Sequence, residues 1–165
     1  MADLQSHIKQ AKKNLATLSE TSQKIKDSWD WQVTMAYYAA VHLMNGHLAA
    51  KVNLHYKTHK DVKIALFDER LSCKIPDDVY YAYVSLENLS RRSRYLCHED
   101  STIDNAREFK TFDKHLKKAL HNLDIILDYF TSEHKVVFEK LPIDCLEIKS
   151  GSSSHFFYKQ SFKAA

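Results

Sequence analysis

Apolar residues recur along this chain at helical spacing. Leu4, Ile8, Ala11, Leu15, Leu18 and Ile25 keep a 3.5-residue period and predict a first helix over roughly 2–27. Ser28-Trp29-Asp30 restarts the chain as a cap. The following run, Met35 to Met44, is apolar on nearly every side, which places a second helix at the centre of a bundle. Asn53 to Tyr56 predicts a loop, and Thr58 an N-cap for a short helix carrying Val62, Ile64, Ala65, Leu66 and Phe67. Pro76-Asp77-Asp78 opens a fourth helix, which the polar run His98 to Thr102 ends. Phe109, Phe112, Leu116, Ala119, Leu123, Ile126 and Phe130 form the stripe of a long last helix. Past Thr131 the period stops. Val136-Val137-Phe138 reads as a short strand or turn, and Ser150 to Ser154 as a flexible link. The aromatic tail His155 to Phe162 either docks back on the bundle or binds something.

Composition agrees with that pattern. Two glycines and two prolines in 165 residues are too few for the turns of a β-rich fold or for a phosphate loop. The reading is all-α, an up-down bundle of four to five helices over 1–131, with an irregular extension over 132–165. A net charge of +3 is mild, so any contact with nucleic acid has to come from a local patch. Three cysteines without a CxxC pair suit a reducing compartment. The first residues carry no apolar signal core, and no window reaches the roughly eighteen apolar residues of a membrane span. The expectation is a cytoplasmic protein with no membrane contact and no cofactor.

The chemistry gathers at the end of the fourth predicted helix, Leu89-Ser90-Arg91-Arg92-Ser93-Arg94-Tyr95-Leu96-Cys97-His98. At about 100° per residue, Arg94, Tyr95 and His98 fall within roughly 60° of Arg91. Ala82, Leu86, Leu89, Ser93 and Leu96 collect on the opposite side and can pack. Guanidinium forks match phosphate oxygens, and imidazole moves protons near neutral pH. This combination suits holding or cutting RNA. It also suits a solvated helix end, where cations complement the dipole and Glu87 can pair with Arg91.

Several segments together point to a family. Asp30-Trp31, Ala36-Tyr37-Tyr38-Ala39-Ala40-Val41-His42, Thr58-His59-Lys60 and Leu89 to Tyr95 stand in an order and spacing that resembles the HEPN family (higher eukaryotes and prokaryotes nucleotide-binding) over about residues 1–130. Members are small helical bundles, and many are metal-independent ribonucleases marked by an arginine and a histidine with four to six residues between them. Five residues separate Arg92 from His98 and six separate Arg91 from it, while Arg94 has only three. The polar Ser93 after Arg92 also fits the pattern. The resemblance thus implies Arg92 and His98 as catalytic pair, with Arg91, Arg94, Tyr95 and His59 in support. It implies a homodimer that joins two motifs in one cleft, RNA such as tRNA or mRNA as substrate, and a toxin or phage-defence role, with an antitoxin as possible partner.

Other chemistry is weaker. His42 interrupts an apolar face and reads as a core histidine satisfied by a carbonyl or a tyrosine hydroxyl. His55 and His59 are spaced i,i+4, but Thr58 caps between them and no carboxylate or cysteine completes a metal set, so no metal site is assigned. The pairs Tyr37-Tyr38 and Tyr80-Tyr81 read as packing. No nucleophile motif or glycine-rich phosphate loop occurs. A non-catalytic module that holds a partner protein or a nucleotide on its arginine face is the competing reading.

Overall fold

Asp3 starts the first helix, α1 (Leu4–Lys24), by accepting the Ser6 amide at 2.8 Å. Its apolar stripe is buried through Ile8, Ala11, Leu15 and Leu18. The computed structural model describes residues 3–56, 58–94, 111–148 and 153–161. Ser28 opens α2 (Trp29–Val52), not through a capping bond but by donating to Ile25 O and accepting from Gln32. As its apolar surround predicts, α2 is central and touches each of the other four helices. Thr58 caps α3 (His59–Phe67) by accepting the Asp61 amide. α4 (Asp77–Arg94) and α5 (Asp113–His134) complete the bundle, and α1 on α2 is its most extensive helix pair.

Two expectations about the last helix are corrected. Phe112 lies outside α5 as its N-cap, exposed, with its ring stacked on His115. Phe109 lies outside the described residues. At the other end α5 runs on to His134, and Lys135 stops it in the left-handed region at φ 56°. Val136 N–H then returns to Phe130 O and closes the helix end, and of the strand or turn expected at Val136-Val137-Phe138 no strand forms.

The strand lies further on, because its partner is distant in sequence. β1 (Leu141–Ile143) pairs in parallel with β2 (Phe156–Tyr158), Leu141 opposite Phe156 and Ile143 opposite Tyr158. The aromatic tail therefore docks back. Phe156 is buried with Ile143, Cys145 and Ile148 in the same core as the helices. Asp124 on α5 clasps the returning chain: its carboxylate accepts the amides of Ser154 and His155 and the His155 ring at 2.8–3.0 Å. Burial pushes the Asp124 carboxyl up, but these donors outweigh it and hold it below its usual range. The second half of α1 is sealed by the same segment, with Ser19 donating to Pro142 O, Ser22 accepting from Asp144 N–H and Gln23 donating to Lys159 O.

Candidate functional site

α4 carries acidic residues in its first turn and Arg91, Arg92 and Arg94 in its last, matching the helix dipole at both ends. All three arginines are exposed, while Ala82, Leu86 and Ser93 are buried and Leu89 half-buried, as the helical spacing predicts. Tyr95, Leu96, Cys97 and His98 lie outside the described residues. The arginine half of the expected catalytic pair therefore stands on a defined helix end, and the pairing of Arg92 with His98 lies beyond what is described.

Beneath the arginines is a polar layer that the sequence reading missed. Tyr37 of α2 and Tyr83 of α4 are fully buried with rings stacked at 6.0 Å, and Ser90 and Glu87 are buried beside them. Neither phenol nor the Ser90 hydroxyl makes a hydrogen bond of normal geometry. Glu87 turns away from Arg91 and forms an ion pair with Lys63 of α3, Nζ 2.6 Å from Oε2. Burial, then the Glu87 charge, pushes Tyr37 up to about 12, and Tyr83 is raised further in the same direction. Phenols held so high do not move protons near neutral pH. Their signal was present: Tyr83, Glu87 and Ser90 follow at i, i+4 and i+7, the buried stripe itself.

His59 and Arg94 both act on Tyr37 of this layer. The His59 ring, at the exposed start of α3, lies 5.5 Å from that of Tyr37, and the Arg94 charge acts on the same phenol. Arg94 also reaches back toward Ser90 O at 3.4 Å. Arg92 faces the other way. Ser93 Oγ stands 3.1 Å from Thr111 Oγ1 and ties the end of α4 to the start of α5, where His115 sits. Burial, then the charges of Arg92 and Lys114, push the His115 imidazole below its ordinary value. Its Nδ1 accepts the Phe112 amide at 3.0 Å, so the neutral ring carries its proton on Nε2. His115 was missed because the apolar stripe starts the helix too early and hides its place in the capping turn.

The described site thus offers an exposed cationic helix end flanked by two imidazoles from different helices. Among the described residues no three His, Cys, Asp or Glu side chains gather as a metal-ligand set, and no helix is long and apolar enough to cross a membrane. Cys73 and Cys145 are buried free thiols, and burial raises Cys145 to about 11. No family model, curated protein or solved structure matches the chain.

Proposed function

We propose that this chain is a cytoplasmic, metal-independent endoribonuclease of the toxin or phage-defence kind, acting on tRNA or mRNA as a homodimer. The observation that carries the proposal is the clustering of Arg91, Arg92 and Arg94, all exposed, in one helix turn with His59 and His115 beside it. Arg92 and Arg91 hold the phosphoryl oxygens as charge grows on them. The RNA 2′-hydroxyl gives up its proton and attacks the adjacent phosphorus, the 5′-oxygen leaves with a proton, and His98 serves that transfer. Tyr95 donates a hydrogen bond to the phosphate, Arg94 supplies positive potential, and His59 borders the cleft. The products are a 2′,3′-cyclic phosphate and a 5′-hydroxyl. The test is cleavage of tRNA and total RNA in EDTA by wild type, Arg92→Ala and His98→Ala. Cutting by wild type and a loss of at least about 100-fold in both variants is expected for removal of phosphate stabilisation or proton transfer. Equal cutting by all three would sink the assignment.

A second reading, a helical module that holds a partner protein, is favoured by a different surface. Ile64, Phe67 and Tyr80 line a cavity of about 360 Å³ between α3 and α4, with Lys60 and Lys63 at its edge. Ile64 and Phe67 are exposed there. Wild type that leaves RNA intact at micromolar dimer selects this reading.

A further inference from the structure

Three histidines from three elements meet on the side of α2 that faces α1. His7 of α1 and His42 of α2 point their Nδ1 atoms at each other, 3.4 Å apart. His55, exposed on the connection between α2 and α3, stacks on the His7 ring at 5.4 Å with the planes only 16° apart. Close approach of the helices makes the cluster: a Cβ at Gly46 would lie 3.1 Å from His7 Cβ and 3.2 Å from Leu4 Cδ1.

The protons can be placed by elimination. Only one of two facing Nδ1 atoms can carry hydrogen in a neutral pair. His7 Nε2 is buried without a partner, and buried N–H groups are left orphaned more rarely than buried acceptors. His7 is therefore the Nδ1–H tautomer and donates to a bare His42 Nδ1, with the single His42 ring proton on Nε2. A further proton has no place in this arrangement. On His7 Nε2 it creates a buried donor with nothing to accept it. On His42 Nδ1 it sets two N–H groups against each other across the contact. The charged and titratable groups facing His7 are His42, His55 and Asp3 of its own helix start, and His42 also faces His55. Burial first, then the neighbouring imidazoles, push both His7 and His42 below the ordinary histidine value, and Asp3 opposes this only weakly.

We propose that His7, His42 and His55 form an acid-sensitive clasp, which pins the first turns of α1 and the α2–α3 connection to α2 while the His7–His42 pair is neutral and frees them when that pair takes up a proton. The clasp reaches the candidate site through the chain. His55 precedes His59 by four residues, and His42 follows Tyr37 by five, so loosening the connection loosens the His59–Tyr37 contact at the arginine end.

The experiment is amide hydrogen exchange on the full chain at about pH 7.5 and about pH 5.5, either side of the ordinary imidazole value, corrected for intrinsic rates. Wild type should lose protection at least about tenfold over 6–11 and at Asn53, whose amides are hydrogen-bonded, beyond any loss in the middle of α5, and His42→Gln should lose less than about a third of that. A loss of equal size in His42→Gln, or one spread evenly over α1, α2 and α5, overturns the clasp. Ring ¹⁵N shifts of wild type decide independently of whether that variant folds. They should report the Nδ1–H tautomer for His7 and a His42 that titrates below the ordinary value together with the 53–56 amides. The Nε2–H tautomer at His7, or titration without movement of those amides, overturns it as well.

Discussion

Single residues in this chain carry conformations and charges that a less constrained sequence would avoid. With two glycines available, the left-handed positions among the described residues fall to Asp27, Asn53 and Lys135. Asn and Asp tolerate that region, whereas Lys135 pays about 1 kcal/mol for it. Lys135→Gly should therefore raise stability by about 0.5–1 kcal/mol in urea unfolding, and a loss of stability would show that the Lys135 bond to Ser132 O outweighs the backbone cost. The phenols give a second prediction. Tyr83→Phe removes a buried hydroxyl that has no hydrogen bond of normal geometry, so the melting temperature should hold or rise. Lys63→Ala should instead cost about 1–3 kcal/mol by stranding the Glu87 carboxylate among buried groups. The exposed arginines could be read from sequence because a charged residue at a helix end has few other places to go. The Tyr37–Tyr83 layer left only the i, i+4, i+7 spacing of Tyr83, Glu87 and Ser90, and tyrosine on such a stripe looks like packing until its hydroxyl is followed. Likewise Glu87 had two cations within reach, and only tertiary structure selects Lys63 over Arg91.

Elements were legible where local periodicity decides and illegible where a distant partner does. The all-α bundle follows from the stripes of α1 and α5, the all-round apolar α2 and the Thr58 cap, each of which is local information. β1 and β2 hold only three residues each, and neither has meaning without the other. The Asp124 clasp joins them to α5 through contacts about thirty residues apart in sequence. Asp124→Asn leaves a single acceptor oxygen for three donors. It should cost about 1–3 kcal/mol and open residues 153–161 to limited proteolysis before the helices melt. Unchanged proteolysis would mean that strand pairing and Phe156 hold the segment without the clasp.

For the whole molecule, the response to acid is set by histidines that fold neutral. His47 donates Nε2–H to Cys73 O at 3.1 Å, so its Nδ1 is bare and takes the Nε2–H of His134 at 2.9 Å. Burial, then the His134 charge, lowers His47 to about 4. A folded value below the unfolded one of about 6.5 means that the native state binds fewer protons. The contribution is complete above about pH 6.5 and lost as pH falls toward 4, up to about 2–3 kcal/mol. Urea midpoints should therefore drop between pH 7.5 and 5, and a flat profile would rule out the neutral pair. The seal over the second half of α1 has another consequence, in the order of synthesis. Ser19, Ser22 and Gln23 meet their partners only after residues 142–159 have left the ribosome, more than a hundred positions later. Until then that stretch of α1 lacks its cover, so a nascent chain stalled after α5 should bind a chaperone that the released protein does not.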